Sequence, residues 1–211
     1  MDNKSNIKTL KIILLGDVSV GKTSIINQYI YNKYNYSIES TIGAAYFSKK
    51  KSFNYDPNTY TLSDKKDSNI LNIQLNIWDT AGQEKYKSLV SMYYKNADIV
   101  FYVFDKTNYN KLNYNILNNL SENTKIVILF NKSDLIFNKS KSYNDSIIEI
   151  CKKNGWEYYI VSAKTNDNIQ HSINNSIQNF VKENLYNIIN KQKINPYNFE
   201  IEENNDYFNC C

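Results

Sequence analysis

The chain has 211 residues, 42% of them hydrophobic and 22% charged, which allows one well-buried core but not two ordinary domains with linkers. No apolar run approaches the ~20 residues that a membrane span needs, and the mostly polar N-terminus gives no support for secretion, so a cytosolic protein is expected. The formal net charge is +4, and the 25 basic residues, all of them lysine, form no block of the kind that binds nucleic acid.

The N-terminal part of the chain predicts a strand, a glycine-bounded loop and a helix. An apolar run at residues 10–15 indicates the strand, and apolar spacing over residues 24–31 indicates the helix. The loop between them reads Gly-x-x-x-x-Gly-Lys-Thr and ends at Lys22 and Thr23. Such a loop points backbone N–H groups at phosphates, adds the helix dipole and places a lysine ammonium near the outer phosphates. The Thr23 hydroxyl is predicted to hold Mg²⁺.

A second motif follows a strand in the middle of the chain. Residues 70–78 alternate between apolar and polar side chains, which predicts a half-buried strand that runs into Asp-Thr-Ala-Gly-Gln. Asp79 is expected to support the metal, and Gly82 leaves its N–H free to meet a γ-phosphate. Thr41 is expected to close over the same phosphate and metal, while Gln83 orients the attacking water. Loss of that phosphate releases both loops, so the conformation of the protein depends on which nucleotide is bound.

A third pair of segments predicts recognition of guanine. Asn-Lys-Ser-Asp follows a buried strand, where ligands collect in open α/β folds. The Asp134 carboxylate can accept hydrogen bonds from the N1 and N2 groups of guanine, a donor pair that adenine lacks. Asn131 is expected to brace neighbouring loops and Lys132 to lie along the base, while Ser-Ala-Lys at residues 162–164 offers backbone N–H groups. An ATP-using P-loop kinase is disfavoured because it would not need Asp134.

The remaining patterns complete an α/β organisation. Strands are predicted at residues 99–104, 125–130 and 157–161, and helices near 109–120, near 143–153 and from 169 onward. This alternation favours a mainly parallel sheet with helices on both faces. Residues 51–69, which contain Pro57, are predicted to form an extended hairpin loop. The domain is expected to span residues 1–186, and residues 187–211 are expected to be a flexible tail with an acidic stretch.

Taken in order, these motifs resemble the Rab family of Ras-like small GTPases, in one collinear match from residue 8 to about residue 183. Rab character lies in Ile-Gly-Ala-Ala-Tyr-Phe (42–47), Glu-Lys-Tyr-Lys-Ser-Leu (84–89), Met-Tyr-Tyr-Lys-Asn-Ala (92–97) and the terminal Cys-Cys pair. Residues 39–45 with 86–89 are most similar to the early-endosomal subclass. The resemblance implies the small-GTPase version of the P-loop NTPase fold, an α/β fold with a six-stranded, mostly parallel sheet and about five flanking helices.

The resemblance also implies the site residues. Lys22 and Gln83 are the catalytic pair, and Thr23, Thr41 and Asp79 are the metal residues, with Asp79 acting through water. The implied nucleotide-binding set is Asp17, Val18, Ser19, Val20, Gly21, Lys22, Thr23, Ser24, Tyr34, Thr41, Gly82, Asn131, Lys132, Asp134, Ser162, Ala163 and Lys164. The implied effector-facing set is Ile42, Gly43, Ala44, Ala45, Tyr46, Phe47, Trp78, Tyr86, Leu89 and Tyr93.

The function implied by the resemblance is a Mg²⁺-dependent switch that binds and hydrolyses GTP. In its GTP state it would recruit tethering effectors to endosomal or other vesicle membranes, and it would cycle through the cytosol. The implied partners are a guanine nucleotide exchange factor, a GTPase-activating protein with an arginine finger in trans, and a GDP-dissociation inhibitor or escort protein. Cys210 and Cys211 would carry two geranylgeranyl groups, because one lipid chain alone gives only marginal membrane binding.

Two departures from the family pattern leave alternatives open. Val18 stands where the family usually has a small residue, and its β-branched side chain would crowd the γ-phosphate, Gln83 and an inserted arginine finger. The chain has no arginine of its own. Turnover should therefore depend on an activating protein, and the alternative function is a GTP-locked, poorly hydrolysing membrane scaffold. The long hairpin at residues 51–69 is either an additional partner site or a tolerated insertion.

Overall fold

Seven strands and three helices make up the described part of the chain. A computed structural model describes residues 7–37, 40–64, 69–82, 93–105, 117, 120–135 and 141–190, with the backbone alone for residues 141–146. The strands are β1 (Lys8–Leu15), β2 (Ala44–Asp56), β3 (Thr61–Leu62), β4 (Asn69–Thr80), β5 (Ile99–Asp105), β6 (Lys125–Asn131) and β7 (Glu157–Ile160). The helices are α1 (Lys22–Tyr31), α2 (Lys141–Asn154) and α3 (Ile169–Asn190), with a 3-10 turn at Ser133–Leu135.

The strands form one mixed sheet in the order β3-β2-β4-β1-β5-β6-β7. The pairs β4–β1, β1–β5, β5–β6 and β6–β7 are parallel, and β2 is antiparallel to both β3 and β4. The predicted α/β fold with a mostly parallel sheet is confirmed. The sheet has one strand more than the six expected, because β3 adds a short strand at its edge.

Residues 51–56 belong to a strand and not to the loop that the composition of residues 51–69 predicts. Residues up to Asp56 continue β2, which pairs with β4 from Ala44 opposite Thr80 to Tyr55 opposite Asn69. After a turn, β3 pairs with Tyr55 and Asp56. The loop prediction was wrong for residues 51–56 because it relied on Pro57 and on the asparagine, aspartate and serine residues of the segment, although Phe53 is buried and Tyr55, two positions later, packs against the core.

The core lies on both faces of the sheet, and β5 is buried along its whole length. Ile99, Phe101 and Val103 join the core cluster beneath α1 and α3, whereas the intervening residues of β5 join the cluster beneath α2. Cys151 belongs to the second cluster, and its burial raises the pKa of its thiol to about 11. This position confirms the prediction of a buried cysteine in an apolar helix.

The helices agree with the predicted ones where the structure describes them. α1 and α2 cover the helices expected near residues 24–31 and 143–153, whereas the helix expected near 109–120 falls mostly outside the described residues. α3 continues to Asn190, past the expected domain boundary at residue 186, because Ile188 is still buried against the core. None of the described helices combines the length and the apolar character that crossing a membrane requires.

Candidate functional site

The predicted phosphate loop connects β1 to α1 at the edge where the parallel strands end. Ser19 has a φ of 61° and Gly21 a φ of 95°, so the backbone passes through the left-handed region before the helix begins. Lys22 is only 6% exposed, and its Nζ donates to Gly16 O at 2.9 Å and to Asp17 O at 2.8 Å. Burial lowers the pKa of Lys22 to about 8, although the charges of Asp79 and Asp17 oppose this shift. The Lys22 ammonium is therefore largely desolvated, and two backbone carbonyl oxygens of the loop hold it.

Three oxygen-bearing side chains meet beside this lysine. Thr23 Oγ1 donates to Asp79 Oδ2 at 2.5 Å and lies 3.0 Å from Thr41 Oγ1, which is 3.5 Å from the same carboxylate oxygen. Asp79 is fully buried, and burial raises the pKa of its carboxyl, although hydrogen bonds from both threonines and the charge of Lys22 favour the ionised form.

The same three residues are a suitable donor set for Mg²⁺. Mg²⁺ prefers oxygen ligands in an octahedral arrangement and is usually held by one or two carboxylates together with phosphates and water. Asp79 Oδ1 is buried and has no hydrogen-bond partner in the described structure, so one carboxylate oxygen remains available. Hydroxyl and carboxylate oxygens therefore fit the ion that the sequence predicts here.

The segments around Thr41 and Gly82 are joined by the backbone. Ala81 N donates to Gly43 O at 2.8 Å. Gly82 lies so close to the phosphate loop that a Cβ at this position would come within 2.5 Å of the backbone of Asp17 and Val18. Only glycine allows this approach, which brings the end of β4 against the phosphate loop.

The predicted guanine site is assembled from β6, the turn that follows it and the loop before α3. Asn131 is buried, and its Nδ2 donates to Val20 O at 2.9 Å while its Oδ1 accepts from Ala163 N at 3.0 Å. Ser162 Oγ donates to Asp134 Oδ1 at 2.6 Å, which orients the carboxylate. Asn131 therefore ties the phosphate loop to the loop at residues 162–164.

Two neighbouring cavities follow from this arrangement. One, of about 220 Å³, contains Lys22, Thr23, Thr41 and Gly82, and the other, of about 310 Å³, contains Asn131, Lys132, Asp134, Ala163 and Lys164. Ser19, Gly21, Ser24 and Tyr34 line both cavities. The shared residues place the two cavities side by side, as one nucleotide requires. We call the cavity around Lys22 the phosphate-like half of the site and the cavity around Asp134 the base-like half.

Several site residues have positions that the sequence does not foretell. Val20 is buried, and its carbonyl oxygen accepts a hydrogen bond from Asn131 Nδ2. Asp105, at the end of β5, forms an ion pair with Lys132. Tyr36 and Thr80 also line the phosphate-like half. Asp105 carried one usable signal, because a carboxylate at the carboxyl end of a parallel strand points toward the ligand-binding edge.

A second surface lies next to the site. The rings of Tyr46 and Trp78 have centroids 5.1 Å apart, and those of Trp78 and Tyr93 are 5.4 Å apart. Tyr46 is more than half exposed, and Ile42 is 82% exposed. The remaining predicted residues of this surface at the start of β2 are Gly43, Ala44, Ala45 and Phe47. Five predicted residues lie outside the described part of the chain, namely Gln83, Tyr86, Leu89, Cys210 and Cys211.

Comparison with known proteins decides the family. The pattern of the Ras family matches residues 11–182. The chain is 33% identical to GTP-binding protein YPT53 of Saccharomyces cerevisiae over 172 residues, which is 76% of this chain and 71% of that protein. It is 38% identical to Ras-related protein Rab-32D of Dictyostelium discoideum over 187 residues, which is 82% of this chain and 74% of that protein. The chain belongs to the Rab family of small GTPases.

Membership of this family confirms the coarse prediction of activity. Rab GTPases bind GTP and GDP with Mg²⁺ and hydrolyse GTP, so this Rab GTPase is an enzyme and a GTP-binding switch. The family acts on vesicle or endosomal membranes with exchange factors, activating proteins, GDP-dissociation inhibitors and effectors. A further relative, Ras-related protein Rab7 of Cenchrus ciliaris, is 31% identical over 195 residues, which is 84% of this chain and 86% of that protein.

Proposed function

We propose that this Rab GTPase recruits effectors to endosomal membranes while GTP is bound. The observation that carries the proposal is the position of Thr41, whose hydroxyl lies 3.0 Å from Thr23 Oγ1 while the next residue, Ile42, is 82% exposed. A contact made by Thr41 inside the nucleotide site is therefore one peptide bond away from an exposed apolar side chain. A terminal phosphate and its Mg²⁺ can order such segments, and the conformation of the protein then depends on the bound nucleotide.

The geometry supports a division of roles among the site residues. Backbone amides of Asp17, Val18, Ser19, Val20, Gly21 and Ser24 surround the phosphates, and the Lys22 ammonium stabilises their charge. Thr23 and Thr41 would hold Mg²⁺, with Asp79 acting through water, and the bound ion would neutralise charge on the phosphate oxygens. Gly82 offers its N–H to the γ-phosphate, and Gln83 orients the attacking water.

The guanine roles rest on the second cavity. Asp134 accepts from the base N1 and N2 groups, and Lys132 lays its stem along the ring. Ser162 orients Asp134, while the backbone of Ala163 and Lys164 faces the guanine oxygen. Tyr34 packs against the base or ribose. Tyr34 lines both cavities, which supports this last role.

The effector surface is the set of aromatic residues beside the start of β2. Tyr46, Trp78 and Tyr93 have adjoining rings; Tyr46 is exposed, and the other two are partly buried beneath it. Exposed aromatic groups next to apolar side chains are typical of binding surfaces. Ala44 and Ala45 pair with Thr80 and Asp79, so the strand that carries the surface is hydrogen-bonded to the strand that carries the metal residue. A change at the nucleotide can therefore reach this surface through β2 and β4.

Membrane attachment is proposed to use Cys210 and Cys211, each with a geranylgeranyl group. Two lipid chains give stable anchoring where one gives marginal binding. A GDP-dissociation inhibitor would then carry the protein through the cytosol, and an activating protein would supply the arginine finger that this arginine-free chain lacks.

Live-cell localisation of the full chain tests this function. A fluorescently tagged Gln83→Leu variant should colocalise with an endocytosed tracer, because loss of the water-orienting group prolongs the GTP state. A matched Cys210→Ser/Cys211→Ser variant should be cytosolic. A Gln83→Leu protein on membranes that the tracer never reaches would contradict the endosomal part of the proposal and leave the switch intact.

Val18 favours a second candidate function, a GTP-locked scaffold. Its side chain is 43% exposed and lines the phosphate-like half of the site, where Gly82 also lies. Single-turnover GTP hydrolysis by wild type, Val18→Ser and Gln83→Leu distinguishes the two. A wild type as slow as Gln83→Leu, together with a faster Val18→Ser, supports the scaffold. A wild type that exceeds Gln83→Leu and equals Val18→Ser supports the timed switch.

A further inference from the structure

Lys132, in the base-like half of the site, is held at both ends of its side chain. Its backbone has a φ of 63°, in the left-handed region that residues other than glycine seldom adopt. Just after it, Ser133 N donates to Val161 O at 3.1 Å, and Leu135 N donates to the Lys132 carbonyl oxygen at 3.1 Å. The Lys132 ammonium forms its ion pair with Asp105, at the end of β5. The residue that lines the base-like half is therefore fixed at its backbone and at its charged end.

The Asp105 carboxylate is buried next to the site without lining it. The side chain of Asp105 is 2% exposed, whereas that of Lys132 is 30% exposed. The described residues that line the two cavities do not include Asp105. Removing a carboxylate from water is costly, and a buried ion pair often adds little net stability. Stability alone therefore does not account for a carboxylate at this position.

A second carboxylate lies close to the same lysine. Asp134 follows Lys132 by two positions, in the 3-10 turn, and lines the same cavity. Its Oδ1 accepts from Ser162 Oγ at 2.6 Å, whereas its Oδ2 has no hydrogen-bond partner among the described residues. A lysine has a flexible four-carbon stem and a compact charge that pairs with a neighbouring carboxylate. Once released from Asp105, the Lys132 ammonium would compete with guanine for Asp134.

We propose that Asp105 is a positioning residue for guanine recognition, which holds the Lys132 ammonium away from Asp134. The inference rests on the guanine roles of Lys132 and Asp134 proposed above. While the ammonium is held at Asp105, the lysine stem lies along the ring of the base. The Asp134 carboxylate then stays available to the N1 and N2 groups, which distinguish guanine from other purines. Asp105 thus acts on the base through Lys132 and does not touch it.

The sheet supplies this arrangement. β5 and β6 are parallel neighbours with Asp105 opposite Asn131, so β5 brings the carboxylate beside the residue that follows β6. Asn131 is itself fixed by hydrogen bonds to Val20 O and Ala163 N. A free lysine side chain would lose rotamer freedom when it is ordered over a base. The pair with Asp105 moves this loss of freedom from the binding step to folding.

Competition of GDP and inosine diphosphate (IDP) against a fluorescent GDP analogue tests the proposal on the full chain with Mg²⁺. IDP lacks only the N2 amino group, so the ratio of the two dissociation constants reports on the Asp134 contact. Wild type should prefer GDP by at least about tenfold. Asp105→Asn keeps the shape of the side chain and removes its charge, and it should prefer GDP by less than about threefold. Asp98→Asn, just before the other end of β5, is the matched control and should keep the preference; Asp98 Oδ2 accepts from Lys11 N at 2.7 Å.

A double variant separates positioning from general damage to the fold. Asp105→Asn/Lys132→Met keeps an unbranched stem and removes the ammonium that competes for Asp134. Its preference for GDP should therefore return to at least about tenfold, whereas a second substitution would not repair a damaged site. A preference that stays below about threefold in the double variant would overturn the proposal. A wild-type preference in Asp105→Asn alone would also overturn it.

Asp134→Asn distinguishes this inference from the guanine roles on which it rests. If Asp134→Asn loses the preference for GDP while Asp105→Asn keeps it, the positioning role is overturned and the guanine site stands. If wild type binds GDP and IDP equally, both are overturned. Loss of the preference in both single variants, with recovery in the double variant, supports both.

Discussion

The Thr23 hydroxyl donates to Asp79 Oδ2 at 2.5 Å, although 56 positions of sequence separate the two residues. Thr23 lies in the first turn of α1 and Asp79 near the end of β4. β1 and β4 are parallel neighbours, with Leu14 opposite Asp79, so the helix that follows β1 begins where β4 ends. The pair is the structural centre of the proposed Mg²⁺ site.

Replacement of Thr23 by valine should uncouple nucleotide binding from Mg²⁺. The variant keeps the shape of the side chain but removes the hydroxyl that faces Asp79. We expect Mg²⁺ to slow GDP release from wild type at least about tenfold and from Thr23→Val by less than about twofold. Release of a fluorescent GDP analogue with Mg²⁺ or with chelator measures this. Thr59→Val, an exposed threonine whose hydroxyl contacts Thr61, is the control. A full Mg²⁺ effect in Thr23→Val would contradict the assignment.

Removal of the Asn131 amide should destabilise the domain. The amide satisfies Val20 O and Ala163 N in a buried position, and Asn131→Ala leaves both without a partner. The expected loss in the free energy of unfolding is about 2–4 kcal/mol. Urea unfolding of the nucleotide-free protein measures it. Asn154→Ala removes an exposed amide that bonds Ile150 O, and it should cost less than about 0.5 kcal/mol. Equal losses in the two variants would show that the Asn131 bridge contributes little.

The Lys22 ammonium should make GDP binding weaken at alkaline pH. Burial lowers the pKa of Lys22 from 10.5 to about 8, whereas bound phosphates would favour the charged form. Binding above pH 8 must therefore take up a proton, and the dissociation constant for GDP should rise by up to about tenfold per pH unit there. Below pH 8 it should be nearly constant. Lys22→Met should bind weakly with a flat profile; a wild-type profile that is equally flat would argue against this role.

The same pKa predicts the pH dependence of folding. The unfolded lysine keeps its proton up to its ordinary pKa of 10.5, whereas the folded one loses it near 8. The unfolded state therefore binds more protons between pH 8 and 10.5, so the Lys22 contribution to the free energy of unfolding rises with pH in that window. Burial, with repulsion from Lys49, also lowers the pKa of Lys51 to about 8, and that lysine adds a shift of the same sign. GDP binding is the cleaner readout, because Lys22 lines the nucleotide site whereas Lys51 does not.

The long hairpin that contains β3 should stabilise the end of α3. Tyr60 packs its ring on Tyr186 in an edge-to-face arrangement and contacts the core cluster. Tyr60→Ser should lower the free energy of unfolding by about 1–2 kcal/mol, while Tyr60→Phe keeps the ring and most of the stability. GTP hydrolysis should stay within about twofold in both variants, because the pair lies away from the nucleotide. If Tyr60→Ser unfolds at the same urea concentration as wild type, the insertion is a passive extension of the hairpin.

The sequence by itself determined the family and predicted the chemistry of the site. A glycine-bounded loop between an apolar strand and a helix needs only local order to form, so Lys22 and Thr23 could be assigned to phosphates and metal without coordinates. The alternation at residues 70–78 likewise predicted β4, because a period of two is a local property of a half-buried strand. The order of the motifs then carried the resemblance that comparison with known proteins confirmed.

The tertiary structure alone decided which distant groups meet. Nothing local indicates that Asn131 bridges Val20 and Ala163, or that Asp105 pairs with Lys132, since both contacts depend on parallel strands that end at one edge. The hairpin that begins at residue 51 shows the same limit. Pro57 and the asparagine, aspartate and serine residues suggested a loop, yet Lys51, Phe53 and Tyr55 direct their backbone groups toward β4, and the Phe53 side chain is buried in the core. Composition reflects the intrinsic preference of each residue for a strand or a loop. Strand pairing adds backbone hydrogen bonds and side-chain packing that form only in the folded sheet.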